Sequence, residues 1–147
     1  ASHYLGKDAS VNLDDIMASL FGPLSEARTL PGMTWEYTDQ GGVTLTVNTK
    51  PSAARVWVCH NPDERDFRKP VLQAKGLGYR SIALNQPSVS DQTSSHWVYQ
   101  WEPKTPEQGW LSFFIEVQFA NTPYPDLYYT SGVRVVPDVF EETSTAD

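Results

Sequence analysis

The sequence has little cysteine, little positive charge and no long apolar run. Cys59 is the single cysteine among 147 residues, which excludes a disulfide framework within the chain. No apolar run approaches the roughly 18 residues of a membrane-spanning helix. Only 11 Lys and Arg stand against 18 Asp and Glu, for a net charge of −7. This balance argues against a nucleic-acid-binding surface, which needs clustered Lys and Arg.

Aromatic and turn-forming residues are frequent instead. Aromatics make up 12% of the chain, including five Trp and seven Tyr, and the chain contains 11 Pro and 9 Gly. Few charges, many aromatics and many turn residues favour a β-rich domain over a helical one.

The first part of the chain has a helical pattern. Ser10 is a suitable N-cap, and Gly22-Pro23 is a suitable stop, so the pattern predicts a helix over 10–21. Apolar residues recur there on one face at helical spacing: Leu13, Ile16, Met17, Leu20 and Phe21. We expect this face to dock on another domain, another chain or the rest of this chain.

From Met33 onward the apolar period changes to two, which indicates strands. The most apolar segments, 54–59 and 110–119, are expected in the centre of their sheet. About seven or eight short strands separated by turns predict an immunoglobulin/fibronectin III-like antiparallel β-sandwich, preceded by one amphipathic helix. The expected strands are 33–38, 43–48, 54–59, 71–74 (a short edge strand), 81–84, 96–102, 110–119 and 127–136.

Catalytic and cofactor motifs are missing from the sequence. It has no Gly-x-Ser-x-Gly elbow and no phosphate-binding glycine loop. His3, His60 and His96 do not have metal-ligand spacing, so we expect neither a metal site nor a cofactor. Cys59 and His60 are neighbours on a predicted strand and point to opposite faces, which favours a buried thiol over a nucleophile pair.

Two other groups have alternative interpretations. Asp63, Glu64 and Asp66 suggest a calcium site, but the interleaved Arg65 and Arg68 favour an ion-paired loop.

An aromatic stripe over Trp97, Tyr99 and Trp101 resembles surfaces that stack on sugars. Packing in the core or against a neighbouring domain is the favoured interpretation of this stripe.

Several segments carry a resemblance to a known family. Arg-Val-Trp-Val at 55–58 and Arg-Asp-Phe-Arg at 65–68, with Leu30-Pro31 before Trp35, are similar to the C-terminal domain of PhoPQ-activated pathogenicity-related proteins. This family includes the autocrine proliferation repressors. The resemblance covers about residues 30–136, together with the start of the chain.

The resemblance implies an α/β-hydrolase-like domain followed by a sandwich. Residues 1–29 would be the terminal loop and helix of the hydrolase-like domain, 30–138 the Ig-like sandwich, and 139–147 a disordered tail. Ala1-Ser2-His3 is similar to the family's Asn-Ala-x-His loop, so His3 would be the triad histidine, with Ser and Asp supplied by upstream sequence. Family members are commonly secreted or periplasmic. The sequence shows no start methionine and no signal-peptide pattern at Ala1, so we expect the chain to be an interior piece or a processed product.

Three function hypotheses follow. The first is a non-catalytic accessory or interaction module whose helix face packs on the hydrolase-like domain. The second is the C-terminal part of a peptidase-like or esterase-like serine hydrolase with His3 as general base. The third is a carbohydrate-binding or secreted signalling sandwich that uses Trp97, Tyr99 and Trp101.

Overall fold

The computed structural model describes residues 13–84 and 96–139. These residues form two antiparallel sheets, a helix before the first strand and a second, shorter helix. The elements in chain order are α1 (Leu13–Ser25), β1 (Met33–Tyr37), β2 (Val43–Val47), β3 (Ala53–Asn61), α2 (Lys69–Ala74), β4 (Arg80–Ala83), β5 (Trp97–Trp101), β6 (Trp110–Phe119), β7 (Leu127–Thr130) and β8 (Arg134–Val136).

The first sheet has the strand order β1-β2-β5, and the second has the order β4-β3-β6-β7, with β8 also paired to β6. All pairs are antiparallel, and the longest pairing joins β3 to β6 from Asn61–Trp110 to Ala53–Gln118. The two expected central strands are therefore neighbours in the middle of the larger sheet. This arrangement confirms the predicted mainly β sandwich preceded by one helix.

The core lies between the two sheets and follows from the alternation in the strands. Every second residue of β6 from Phe113 to Phe119 is at most 2% exposed. Val43, Leu45 and Val47 of β2 are fully buried and face them from the other sheet. Alternation with a period of two places one face of each strand in this core, because successive side chains of a strand point to opposite faces.

A second buried cluster covers part of the outer face of the larger sheet. Cys59 lies on this face and is 2% exposed, and Leu72 of α2 is 4% exposed. The Trp57 and Phe114 rings stack with centroids 6.4 Å apart, and the Tyr79 ring lies 5.6 Å from that of Phe114. The thiol is thus buried as predicted, but outside the inter-sheet core.

Three details differ from the sequence expectations. Segment 71–74 is not an edge strand but lies in α2, which starts beside Pro70 and turns Leu72 inward. The strand expected over 127–136 is interrupted: the Ile115 amide donates to the Ser131 hydroxyl at 3.0 Å instead of to a ladder carbonyl. This side-chain hydrogen bond replaces one main-chain bond and separates β7 from β8.

The third difference concerns the end of α1. The helix continues through Gly22-Pro23 to Ser25. It ends where Ala27 adopts a left-handed conformation with φ 55° and the Arg28 amide donates back to the Pro23 carbonyl at 2.9 Å. The predicted cap at Ser10 and all but the first residue of the predicted tail, 139–147, lie outside the described residues.

Candidate interaction surface

Helix α1 is fixed to the sandwich through a hydrogen bond that its own proline makes necessary. Pro23 has no N–H, so the carbonyl of Ser19, four residues earlier, lacks its usual helical donor. The Asn121 side-chain amide supplies this donor at 2.9 Å and also donates to the Pro125 carbonyl at 3.0 Å. Ser19 and Asn121 are each 8% exposed, so the loop after β6 holds this side of the helix against the sandwich.

Tyr124 forms the second attachment. Its ring lies so close to Gly22 that any side chain there would overlap it. The Tyr124 hydroxyl donates to Glu26 at 2.7 Å, and this bond is the main cause of the lowered pKa of the Glu26 carboxyl. Arg28 forms an ion pair with Glu26 at 2.7 Å and donates to the Thr122 carbonyl at 3.0 Å.

The opposite face of α1 is apolar and exposed. Five large apolar side chains along the helix are between 37% and 54% exposed: Ile16, Met17, Leu20, Phe21 and Leu24. We call these five residues the α1 apolar face. A contiguous apolar face of this kind is a candidate interaction surface, because leaving it in water is unfavourable. The side chain of Leu13, also predicted to belong to it, lies outside the described residues.

Sequence reasoning found four of these five residues and missed Leu24. Leu24 follows Leu20 by four residues and continues the same face. Leu24 was missed because the helix was predicted to end at Gly22-Pro23. Nothing in the sequence indicates that Asn121 and Tyr124, about one hundred residues later, position the helix.

The aromatic stripe of β5 faces the core. Trp97, Tyr99 and Trp101 pair opposite the buried Val47, Leu45 and Val43 of β2.

Tyr99 is 7% exposed, whereas the half-buried Trp97 and Trp101 pack against the core at its edge. The Trp101 ring lies 4.7 Å from that of Phe113 in the other sheet. This placement favours the packing interpretation of the stripe, and sugar binding by it stays a prediction.

The Cys59 thiol and the His60 ring lie on opposite sides of β3. His60 is exposed, and its Nε2 lies 2.8 Å from the Gln108 carbonyl oxygen. Burial raises the pKa of the Cys59 thiol, which keeps it protonated at neutral pH. A protonated, buried thiol without a neighbouring base is a poor nucleophile.

The acidic residues after β3 are held in ion pairs. Lys75 lies 2.9 Å from Asp63 and 3.0 Å from Glu64, and both hydrogen bonds raise the pKa of its ammonium group. Arg68 binds the carboxylate of Asp66 and lowers its pKa. The side-chain amide of the fully buried Asn61 donates to the Asp66 carbonyl at 2.8 Å and orders this loop.

These ion pairs agree with the predicted ion-paired loop. Within residues 13–84 and 96–139, no three His, Cys, Asp or Glu side chains are grouped so that they could hold a metal ion. No helix in that part of the chain is long and apolar enough to cross a membrane. His3 lies outside the described residues, so its predicted role as general base has no geometry here.

Comparison of the chain with family models, curated proteins and solved structures finds no match.

Proposed function

We propose that this chain is a non-catalytic accessory module, with the α1 apolar face as its docking surface. Its partner is an α/β-hydrolase-like domain, and the whole is a secreted protein of the PhoPQ-activated pathogenicity-related type. The sandwich supplies a rigid base, and the helix presents apolar side chains to the partner. The similar sequence blocks at 55–58 and 65–68 support the choice of family.

One observation carries the proposal: α1 is firmly attached, yet its apolar side chains remain in water. Asn121 and Tyr124 contact the side of the helix that carries polar and small residues. The larger apolar residues lie on the opposite side. A helix that needed only to bury its apolar side would turn that side toward the sandwich. The fixed orientation therefore favours a second surface that covers Met17 and Phe21.

Methionine oxidation tests this proposal directly, since the chain has only two methionines. Met17 is 47% exposed, whereas Met33 is half-buried and packs against the core. In the chain alone, peroxide should oxidise Met17 faster than Met33. In a longer gene product that includes the hydrolase-like domain, oxidation of Met17 should slow at least fivefold while Met33 stays unchanged. Equal oxidation of Met17 in the two proteins would contradict the proposal.

Substitutions give a second, independent test. Phe21→Gln should weaken association between the chain and a separately purified hydrolase-like domain, because it places a polar group in the contact. Tyr128→Gln is the matched control, since Tyr128 is 55% exposed on the sandwich, close to the 54% of Phe21. An equal loss of binding in both variants would indicate that the α1 apolar face is not the specific surface.

A further inference from the structure

A cavity of about 440 Å³ lies where the connection from α1 to β1 crosses the end of the sandwich. Its walls come mainly from three separate segments, 28–31, 49–52 and 119–122. Cavities that bind small molecules occupy roughly 300–1,000 Å³ and commonly lie where structural units meet. The volume therefore suits a small organic ligand rather than a single ion.

The inner part of this cavity is apolar. Phe119 and Leu127 line it and belong to the inter-sheet core, with exposures of 2% and 7%. Leu30 is half-buried and packs against the same core. Because Phe119 and Leu127 are almost fully covered, the apolar surface open to a ligand comes from Leu30 and Pro31, which are half-buried, and from Ala120, which is exposed.

The charge around the cavity is positive, although the chain carries a net charge of −7. Arg28 and Lys50 line the cavity, and no acidic residue does. Arg28 is neutralised by its ion pair with Glu26. Lys50 is exposed and forms no ion pair with any described residue, and this leaves one uncompensated positive charge at the cavity.

We propose that this cavity binds a small monocarboxylate with an apolar organic part. The carboxylate pairs with the Lys50 ammonium group, and the apolar part lies on Leu30, Pro31 and Ala120. A single free cation matches a monoanion better than a phosphate, which carries more charge and has no apolar part. Free carboxylic acids and the C-terminal residue of a peptide share this chemistry.

The experiment titrates the chain with two probes and follows the amide signals by NMR. Hexanoate represents a free acid, and N-acetyl-phenylalanine represents a peptide C-terminus. The corresponding amides, hexanamide and N-acetyl-phenylalaninamide, serve as uncharged controls. Lys50→Gln removes the cation, and Lys104→Gln, at an exposed lysine outside the cavity, is the matched control.

We expect saturable shifts at Leu30, Lys50 and Leu127 with at least one carboxylate, and binding at least fivefold weaker for its amide. Lys50→Gln should weaken carboxylate binding at least fivefold, and Lys104→Gln should leave it unchanged. Stronger binding of one probe identifies the source of the carboxylate. Absence of saturable shifts, or equal binding of acid and amide, would overturn the proposal. Because only the chain itself is used, neither result bears on docking of the α1 apolar face.

Discussion

The side-chain amide of Asn121 donates to the main-chain carbonyl of Ser19 across 102 positions of the sequence, at 2.9 Å. Pro23 has no N–H and cannot donate to this carbonyl as a helical residue normally would. Asn121, in a loop of the sandwich, donates instead. The bond satisfies a buried carbonyl, so it contributes more than an exposed hydrogen bond would. It also sets which side of α1 faces outward.

Asn121→Ala should detach α1 from the sandwich. The change leaves the Ser19 carbonyl without a donor and is expected to cost about 1–3 kcal/mol of attachment free energy, as for other buried unsatisfied groups. Hydrogen exchange should accelerate in α1 and remain slow in β3 and β6. Gln40→Ala, an exposed change in the turn after β1, is the control and should alter neither region. Unchanged exchange in α1 would refute this role of Asn121.

Gly109 should tolerate no side chain. It has φ 74°, and a Cβ there would overlap the main chain of Asn61 and Pro62. Gly76 has a similar φ of 67° but open space around it, so Gly76→Ala measures backbone strain alone.

We expect Gly76→Ala to cost about 1 kcal/mol and Gly109→Ala at least 2 kcal/mol more, by denaturant unfolding. Equal losses in the two variants would show that the contact with Asn61 and Pro62 relaxes at no cost.

The hydroxyl groups of Tyr79 and Ser112 lie 2.6 Å apart beneath the outer cluster, and Ser112 is fully buried. Tyr79→Phe should cost about 1–3 kcal/mol because it leaves the serine hydroxyl without this partner. The double variant Tyr79→Phe with Ser112→Ala should be more stable than additivity predicts. Strict additivity in this double-mutant cycle, measured by urea unfolding, would indicate that the two groups do not interact.

Cys59 should make the protein less stable at alkaline pH. Burial is the main cause of the raised thiol pKa in the folded state, and a backbone hydrogen bond from Gly78 offsets it in part. The unfolded thiol releases its proton near pH 8.5. Its contribution to folding is therefore complete below that pH and is lost as the pH rises toward the folded-state value.

The measurement is the free energy of unfolding between pH 7 and pH 10. Cys59→Ala should show a shallower decline than the unchanged chain, because the remaining groups with raised pKa values, such as Tyr79 and Lys75, have unfolded-state pKa values of about 10 or higher. The same decline in both proteins would contradict this role of the thiol. A thiol reagent should also react with Cys59 at the rate of unfolding rather than at the rate of an exposed thiol.

Trp101 and Trp35 should differ in their contribution to stability. Trp101 packs on Phe113, so Trp101→Ala is expected to cost about 3 kcal/mol, near the low end for buried aromatics. Trp35 is 44% exposed, and Trp35→Ala should cost clearly less in thermal or denaturant unfolding. The reverse order would mean that the aromatic residues of β5 are not core residues.

The limits of a strand were predicted well from the sequence where the strand is buried on one face. The limits of β6 match the expected 110–119, because apolar residues occupy every second position from Leu111 to Phe119 and the flanking turns contain Gly109 and Asn121. The pattern failed in short segments. Segment 71–74 has too few residues to separate a strand from a helix, and the β7–β8 break depends on a hydroxyl group, that of Ser131, which has no local signal.

The candidate surface was predictable in part. Helical periodicity alone identified Ile16, Met17, Leu20 and Phe21 as one face. The exposure of that face depends on contacts with Asn121 and Tyr124, which no local pattern indicates.

The sequence by itself determined the class of fold, since alternating apolar residues and turns permit two packed sheets, and it determined the amphipathic character of α1. Only the tertiary structure decided which apolar groups reach the core. Trp35 and Trp101 both pair opposite buried residues of β2, Leu45 and Val43. Trp101 meets Phe113 in the facing sheet, whereas Trp35 lies beside Gly132, which has no side chain to cover it. The burial of a side chain depends on which residues pack against it, and the alternation of apolar residues within a single strand does not determine those residues.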